Sequence, residues 1–367
     1  MLKKSVALIS VFCIVFCLFS CGNNAKPASP LKKSEFIASE FDKETSFRYD
    51  EYEDYVIVTG VAGSPDDIII PEMLAEKEVK AIADNAFNDM GWVKSIEIPN
   101  TVVEIGDSAF YGSLSATKIS LSDNLYKIGT YAFFGCISVE NIRLPLGLEI
   151  IGGFAFADCK KLEGIAIPSG VSSIGGGAFS GTKWLSSQKD EFVTAGDNIL
   201  ISYNGDDEKV TIPDGIRVVS AFYDNFFAKE ITFPESVEEI GEFAFINSSV
   251  SEIIASENIK KVGRSAFDSC LNLEKITFNE SLEEIGSYAF ANCTLLTEFT
   301  VNKSVKNVGD GAFSRCSKLE KLTLLSDKTE VGKGICENCS SSLTIQCPKN
   351  SPIIPYIKEK GFILDII

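Results

Sequence analysis

The stretch SLEEIGSYAFANC, residues 281–293, decides the fold, because its core Ile-Gly-x-x-Ala-Phe returns along most of the chain. The Phe of this motif recurs at steps of 23 residues, with a single step of 22 and one gap of 43. It stands at Phe87, Phe110, Phe133, Phe156, Phe179, Phe222, Phe245, Phe267, Phe290 and Phe313. An eleventh, degraded copy reads VGKGICENC, in which we place Ile335 at the Phe position. Returns at one period identify a repeat array.

Each repeat contains two short apolar segments separated by corner residues. In one copy, Ile276 and Phe278 alternate with polar residues, which is the period-two pattern of a half-buried strand. Pro commonly follows, and because it lacks an N–H it marks the end of that strand. A second apolar pair, Leu282 and Ile285, precedes Gly286. Gly recurs at this position, which predicts a second corner whose backbone angle a Cβ would hinder.

One repeat cannot bury its apolar side chains alone, whereas stacked copies share a continuous core. The pattern L-x-x-I-x-I-P…V-x-x-I-G-x-x-A-F-x-x-C resembles the BspA-type (treponemal-type) leucine-rich repeat family over residues 55–367. We therefore predict a mainly β solenoid, a right-handed leucine-rich-repeat array of about 11 coils of 22–23 residues. Short strands and 3-10 turns would form each coil, with a hairpin cap before the array and a small cap after it.

The copies divide the chain into segments. We predict an N-terminal cap and first repeat over 36–95, a first block of repeats over 96–182, an insertion or modified repeat over 183–215, a second block over 216–346, and a C-terminal cap over 347–367. The insertion accounts for the long gap between Phe179 and Phe222. Trp184 and Leu185 are candidates to seal the junction between the two blocks.

The ends and the junction carry their own patterns. Residues 54–71 and 198–213 each read as strand, Gly-containing turn and strand, which predicts a β-hairpin in both places. Residues 356–360 predict a short helical turn, and residues 362–367 predict a last strand. These elements would cover the apolar core that end coils otherwise expose.

The N-terminus has the pattern of an export signal. Lys3 and Lys4 precede an apolar run over residues 6–19, which is shorter than the ~20 residues a membrane-spanning helix needs. We therefore predict a signal peptide over residues 1–20.

Residues 18–21, Leu-Phe-Ser-Cys, resemble a bacterial lipobox, which implies lipidation of Cys21. Residues 21–35 are polar and rich in Pro, Ser and Asn, so we predict a flexible lipidated tether that holds the protein to a membrane. A plain secretory peptide or a short anchor is the alternative. The expected location is the bacterial cell envelope, at the outer membrane or cell surface.

The charge and residue content exclude several classes of function. The formal net charge is −17, and such a field repels nucleic acid and anionic lipid headgroups, while basic partners and divalent cations remain open. The chain has no His, which removes imidazole catalysis and His-based zinc sites. The acids Glu238-Glu239 and Glu283-Glu284 recur at one repeat position, so we interpret them as solvated residues rather than glycosidase carboxylates.

A glycine cluster, IGGGAFSG at residues 174–181, falls on the repeat period and lacks the Lys of a phosphate-binding loop. The acids also lack the alternating Asp pattern of calcium loops. We therefore predict no enzyme activity, no cofactor and no metal site.

The cysteines follow the repeat. Five lie three residues after the motif Phe and are predicted to stack as small buried thiols: Cys136, Cys159, Cys270, Cys293 and Cys316. Cys336, Cys339 and Cys347 fall in the last coil, where we expect a structural cap with room for one disulfide. A redox or metal role for the CENC pair has weak support without His or a second such pair.

The outward residue between the two apolar residues of each first strand forms the most informative surface row. We take as the candidate ligand face Glu97, Ser120, Arg143, Thr232, Thr277, Thr300 and Thr323. In leucine-rich repeats this sheet usually lines the concave side, where extended partners bind. Thr also suits strands for purely structural reasons.

The resemblance implies an adhesin-like role, in which the solenoid binds an extracellular or host protein of the matrix or plasma class. Two alternatives stay open. The first is a structural or self-associating envelope protein, which predicts concentration-dependent oligomers and no host ligand. The second is a glycan-binding protein.

Overall fold

Two ladders of short parallel strands run along the molecule, one built from each apolar segment of the repeat. The structure is a computed structural model that describes residues 30–367. The predicted signal peptide, Cys21 and most of the predicted tether lie outside the described residues. Within residues 30–367, no helix combines the length and apolar content needed to cross a bilayer.

The N-terminal cap and first block contain β1 (Phe36–Phe41), β2 (Phe47–Tyr52), β3 (Val56–Val61), β4 (Asp67–Ile69), β5 (Met73–Leu74), β6 (Lys77–Ile82), β7 (Ser95–Glu97), β8 (Glu104–Ile105), β9 (Lys118–Ser120), β10 (Lys127–Ile128), β11 (Asn141–Arg143), β12 (Ile150–Ile151), β13 (Gly164–Ala166) and β14 (Ser173–Ile174). The junction contains α1 (Lys183–Ser186), β15 (Phe192–Ala195) and β16 (Ile199–Tyr203).

The second block contains β17 (Lys209–Thr211), β18 (Val218–Val219), β19 (Glu230–Thr232), β20 (Glu239–Ile240), β21 (Glu252–Ile254), β22 (Lys261–Val262), β23 (Lys275–Ile276), β24 (Glu284–Ile285), β25 (Glu298–Val301), β26 (Asn307–Val308), β27 (Lys321–Leu324) and β28 (Glu330–Val331). The C-terminal cap contains β29 (Thr344–Cys347), α2 (Ile354–Lys360) and β30 (Ile363–Ile366).

The first ladder forms four separate hydrogen-bonded groups, β4-β7-β9, β11-β13, β17-β19-β21-β23 and β25-β27-β29-β30. The second ladder is more continuous, with β3-β6-β8-β10-β12-β14 in the first block and β16-β18-β20-β22-β24-β26-β28 in the second. Every neighbour within these groups is parallel and one coil away in the chain; Lys127 of β10, for example, lies opposite Glu104 of β8. The fold is therefore the predicted β solenoid.

The motif Phe residues stack into two continuous columns inside the solenoid. All ten side chains are buried. In the first block the Phe110 and Phe133 ring centroids lie 5.3 Å apart with the planes 5° from parallel. In the second block Phe267 and Phe290 are 5.2 Å apart, also at 5°. The coil spacing thus sets the ring spacing, and offset-stacked aromatic pairs add to the burial of apolar surface.

The recurring Gly after the second strand, here called the corner glycine, is required for a different reason from the one predicted. These glycines do not have positive φ, so the backbone angle does not demand Gly. A Cβ on Gly129 would instead lie 2.5 Å from the carbonyl carbon of Gly106 in the preceding coil. The close approach of consecutive coils therefore excludes a side chain at Gly129.

Positive φ occurs elsewhere in the corner, two residues after the corner glycine. Tyr131, Phe154, Phe243 and Tyr288 at this position have φ between 54° and 58°. Single hydrogen bonds from residue i+3 to residue i close the turns, for example from Ala132 N to Gly129 O. These bonds have the 3-10 pairing, but the left-handed residues keep each turn separate, so no 3-10 helix forms within residues 30–367.

The two predicted hairpins are wrong. Strands β3 and β4 do not pair with each other: β3 joins an antiparallel meander β1-β2-β3 and then the second ladder, whereas β4 starts the first ladder. Likewise β16 pairs with β15 and β18, and β17 pairs with β19. Each of these strands pairs with a parallel strand of the neighbouring coil instead of with the strand across the local turn, because that pairing extends one of the two ladders.

The junction divides the buried core into two clusters, one on each side of β16. Thr182 caps α1, since its hydroxyl accepts a hydrogen bond from Leu185 N at 3.1 Å. The Trp184 ring then packs edge-on against Phe179 at 5.1 Å. Trp184 and Leu185 are half-buried against the first core cluster, which places them at the end of the first Phe column.

The last coil corrects two expectations. Ile335 takes the Ala position, because Phe313 N donates to Ile335 O as Phe290 N does to Ala312 O one coil earlier, and Cys336 takes the Phe position. Cys339 then continues the cysteine row, and its thiol donates to Phe313 O at 3.1 Å. The disulfide allowed for the cap is absent, since Cys336, Cys339 and Cys347 are all free thiols.

The five cysteines of the row are buried and free, as predicted. Each thiol donates to the carbonyl of the motif Phe one coil earlier, for example Cys293 to Phe267 O at 3.2 Å. Burial raises the pKa of Cys270 to about 12, so this thiol stays protonated and unreactive at neutral pH.

Candidate ligand-binding surfaces

The residues of the candidate ligand face lie on the outward side of the first ladder. Register pairs Glu97 with Ser120 across β7 and β9, and Thr300 with Thr323 across β25 and β27. Thr277 follows the short strand β23 and is exposed, as is Thr300. Because the ladder is broken into four groups, the face is a series of strand patches rather than one flat sheet.

Two members of the face are engaged by the protein itself. Thr323 is only 8% exposed, and its hydroxyl lies 3.3 Å from Gln346 Oε1 of the capping strand β29. Arg143 forms an ion pair with Asp123 at 2.8 Å, although its side chain remains largely exposed. Thr232 and Ser120 are half-buried. Thr277 and Thr300 therefore carry the most accessible hydroxyl groups of the row.

The repeated acids are partners in ion pairs between neighbouring coils. Glu238 pairs with Lys260 at 3.1 Å, and Glu239 pairs with Lys261 at 3.1 Å. Lys306 holds Glu283, and the hydrogen bond and charge of this lysine lower the pKa of the Glu283 carboxyl. A glycosidase acid needs a raised pKa, so Glu283 lacks the environment that such chemistry requires.

The two blocks touch each other laterally through their corners, a contact that no repeat pattern predicts. Gly176 N donates to Glu242 O at 2.6 Å, and Thr130 Oγ1 donates to Glu242 Oε1 at 3.1 Å, across 112 positions of sequence. The Phe243 ring lies 5.6 Å from that of Phe154. The solenoid is thus bent so that the corners of coils in the first block meet those of the second.

The glycine cluster at residues 174–181 makes this contact possible. A Cβ on Gly176 would lie 2.7 Å from the carbonyl carbon of Phe243, and one on Gly153 would lie 2.9 Å from its Cε2. The intervening coil also lacks the two corner residues, since Ser220 is followed directly by Ala221 and Phe222. Missing side chains and a missing corner together leave the room into which Phe243 packs.

The corner residues therefore line the inside of the bend. The first ladder, with the candidate ligand face, makes none of these contacts between the blocks in residues 30–367. At this bend, the corners and not the sheet with the candidate ligand face lie on the inner side. The reason is that the small corner residues, rather than the strands, permit close approach.

Glu242 brings a largely buried carboxylate to this contact. Burial raises the pKa of Glu242, while the hydrogen bond from Thr130 and the charge of Arg264 partly offset the shift. Arg264 Nη1 lies 3.9 Å from Glu242 and 3.6 Å from Asp107 of the first block. The contact therefore combines aromatic packing with a small polar network in which Glu242 is the most buried charged group.

Comparison with known families agrees with this architecture. The model of the BspA type leucine rich repeat region matches residues 70–191 and 209–354, with six copies. The chain belongs to this family. The unmatched residues between the two ranges, 192–208, hold all of β15 and all of β16, where the BspA-type repeat is modified.

The chain is similar to several solved structures. A leucine-rich repeat protein from Bacteroides ovatus is 21% identical, covers 92% of this chain and 100% of that chain, and has a TM-score of 0.40. A leucine rich cell surface protein from Faecalibacterium prausnitzii is 24% identical, with coverage of 78% and 95% and a TM-score of 0.38. The pneumococcal vaccine antigen PcpA is 18% identical, with coverage of 91% and 100% and a TM-score of 0.41. No curated protein sequence matches the chain.

The largely buried Glu242 carboxyl of this BspA-type solenoid should make the stability of the protein depend on pH. Because the pKa of Glu242 is higher in the folded protein than in the unfolded chain, its ionisation lowers the free energy of unfolding at pH values above the folded-state pKa. This loss of stability disappears as the pH falls toward the ordinary carboxyl pKa of about 4.3. We expect wild type to gain stability relative to Glu242→Gln between pH 7 and about pH 4.5, because the amide carries no charge to desolvate. Urea midpoints for both proteins across this range measure it. The exposed Glu257→Gln is the control, and a pH-independent difference for Glu242→Gln would contradict the assignment.

Proposed function

We propose that this protein is a cell-envelope-anchored leucine-rich repeat lipoprotein that binds protein ligands, adhesin-like, through the outward side of its first ladder. The observation that carries the proposal is the accessibility of this side, compared with the corners that the bend occupies. Thr277 and Thr300 are exposed, and no described residue hydrogen-bonds to their side chains. An extended strand surface of this kind suits an extended protein partner.

A depression in this side supports the proposal. Over β21, β23 and the residues that follow them lies a shallow cavity of about 300 Å³, lined in part by Ile254, Lys275 and Thr277. The Ile254 side chain is 46% exposed, so an apolar contact stands among groups of both charges, Glu252 and Lys275. An apolar centre with a polar surround is the usual composition of a protein interface.

The binding test uses the purified full-length protein in detergent, immobilised and exposed to matrix and plasma proteins, with retained ligands titrated. A double variant, Thr277→Lys with Thr300→Lys, places two long charged side chains on the exposed strand row. We expect it to weaken binding about tenfold or more, which corresponds to roughly 1.4 kcal/mol.

The control, Ser317→Lys with Ser341→Lys, adds the same charge at exposed residues outside the strand row. Its affinity should match that of wild type. Equal losses in both double variants would show a general charge effect and contradict the proposed face. Retention of no protein ligand, together with concentration-dependent oligomers in sedimentation, would favour a structural envelope role instead.

Anchoring is the second part of the proposal and rests on residues 18–21. Lipidation of Cys21 would tether the solenoid to the membrane through the polar segment that follows. Mass spectrometry of the protein from cell membranes should find acyl chains on Cys21. The Cys21→Ser protein should leave the detergent-extracted fraction, and equal membrane retention of both proteins would contradict a lipid anchor.

A further inference from the structure

The second block contains a cavity beside an exposed aromatic ring, on the corner side of its last coils. Its volume is about 580 Å³, within the range of about 300–1,000 Å³ that is usual for small-ligand sites. Tyr288 stands two residues after a corner glycine, and its side chain is 45% exposed. The corresponding residues in the next two coils are Gly311 and Gly334, so no side chain covers the surface beyond the ring.

The first block has a matching pair of an aromatic residue and a glycine, and there the cavity beside the ring is filled by other side chains of the protein. There Phe154 occupies the position of Tyr288, and Gly177 occupies that of Gly311. Both rings lean over the following glycine, since a Cβ on Gly177 would lie 2.5 Å from Phe154 Cδ1 and one on Gly311 would lie 2.5 Å from Tyr288 Cε1. Phe243 and Tyr223 pack against Phe154, each with ring centroids 5.6 Å away. The protein thus fills the first-block cavity with its own rings and leaves the second open.

The linings of the two cavities differ in polarity. The first receives Phe243 among Tyr131, Phe154 and glycines. The second carries charged and amide side chains around the Tyr288 ring, including Asp310, Arg315, Lys333 and Asn292. An aromatic side chain placed there would leave polar groups without partners, at a cost of about 1–3 kcal/mol each. A ring that carries hydroxyl groups would satisfy them.

Donors and acceptors are both available in the second cavity. Arg315 and Lys333 form no ion pair with any residue in 30–367, so their N–H groups can donate. Asp310 accepts one hydrogen bond, from Lys333 N at 2.6 Å, and has further acceptor capacity. Asn292 Nδ2 donates to Asp268, which leaves the Asn292 amide oxygen free. Carboxylates in the lining and the net charge of −17 disfavour an anion.

We propose that this cavity binds a neutral saccharide, with one pyranose ring packed against Tyr288 and its hydroxyl groups hydrogen-bonded to Asp310, Arg315, Lys333 and Asn292. The aromatic face supplies apolar contact to the C–H face of the sugar, and the polar rim sets its orientation. This site is separate from the strand surface proposed for protein ligands. It gives the protein a second binding activity, directed at glycans.

The deciding variant is Gly311→Phe. The same position holds Tyr131 and Phe154 with φ of 57° and 54°, and their rings stack 5.1 Å apart, so the fold accepts an aromatic residue here. The new ring would occupy the cavity beside Tyr288. We expect saccharide binding to disappear while the far-UV circular dichroism spectrum stays that of the folded solenoid. The unfolding temperature should fall, because the new Cβ meets the Tyr288 ring and the added ring leaves polar groups without partners. Tyr288→Ala should weaken binding roughly tenfold or more through loss of the ring face.

The experiment screens the full-length protein in detergent against immobilised neutral oligosaccharides of glucose, galactose, mannose and N-acetylglucosamine, and then titrates the retained sugars by calorimetry. Uronic and sulfated sugars and a Phe-containing tripeptide are run in parallel. Trp92→Ala is the matched control, since Trp92 is an aromatic residue with 44% exposure in the first repeat, far along the chain from this cavity. It should bind like wild type.

Neutral sugar binding that is lost in Gly311→Phe and kept in Trp92→Ala supports the proposal. Binding of no neutral sugar overturns it, as does binding that Gly311→Phe leaves intact. Retention only of the anionic sugars or only of the tripeptide also overturns it, because each assigns a different ligand chemistry to the cavity.

Discussion

Gly176→Ala is expected to push the two blocks of the solenoid apart and to destabilise the protein by about 1–3 kcal/mol. The added methyl would lie 2.7 Å from the carbonyl carbon of Phe243, which is backbone and cannot rotate away. Gly176 does not have positive φ, so alanine brings no backbone strain of its own. The collision falls at the centre of the contact, where Gly176 N also donates to Glu242 O.

Two measurements check this expectation. Small-angle X-ray scattering should give a larger radius of gyration for Gly176→Ala, because the ion pair and aromatic contacts between the blocks are lost. Urea denaturation should show the loss of stability. Gly170→Ala is the matched control, since the nearest atom to its added methyl is Leu146 O at 3.7 Å. The control also cancels the effect of replacing Gly by Ala on the unfolded chain.

A scattering curve and urea midpoint indistinguishable from those of Gly170→Ala would mean that the blocks do not touch in solution. In that case the pH dependence predicted for Glu242 would disappear as well, because the desolvation of its carboxyl depends on the same contact. The two experiments therefore test one geometry by independent means.

The repeat period predicted the fold because every coil buries the same apolar positions against its neighbours. A Phe at one position in each coil can only stack on its neighbours once the coils are parallel and in register, and the ring spacing follows. The period also located the corner at residues such as Gly129. It assigned the wrong cause, because a collision with Gly106 in the preceding coil is a property of the stack and cannot be read from one repeat.

The prediction of two hairpins was wrong for a related reason. Residues 54–71 and 198–213 have the local pattern of two strands and a turn, and local pattern alone cannot distinguish a hairpin from two strands that join separate ladders. The partner of each strand lies one coil away. Register in an array is decided by the neighbouring coil, which supplies both the hydrogen bonds and the buried face.

The residues that permit the bend stand out in the sequence, but the repeat period does not show that they contact one another. Gly153 and Gly176 interrupt a position that other repeats fill, and the coil at Ser220 is two residues short. Their partner, Glu242, is 89 residues from Gly153. Of the candidate ligand face, alternation placed the row correctly on the first ladder. It missed the cover over Thr323, which comes from Gln346 in the cap.

Phe290→Ala should cost about 3–5 kcal/mol, the largest loss that we expect from a single substitution in the repeats. The Phe290 side chain is fully buried. Its ring stacks between Phe267 at 5.2 Å and Phe313 at 5.4 Å, and Phe299 lies 4.9 Å away on the strand side. Removing it leaves a cavity that two neighbouring coils cannot close without losing their own register.

Tyr288→Ala is the control for Phe290→Ala, because Tyr288 lies in the same coil but its side chain is exposed, and its loss should change stability by less than about 0.5 kcal/mol. Urea denaturation gives both values. Hydrogen exchange then locates the damage: each coil touches mainly its neighbours, so protection should fall around Phe267 and Phe313 and persist around Phe110 in the first block. A uniform loss of protection in both blocks would contradict this, and would mean that the lateral contact at Glu242 and Phe243 couples the two blocks into one cooperative unit.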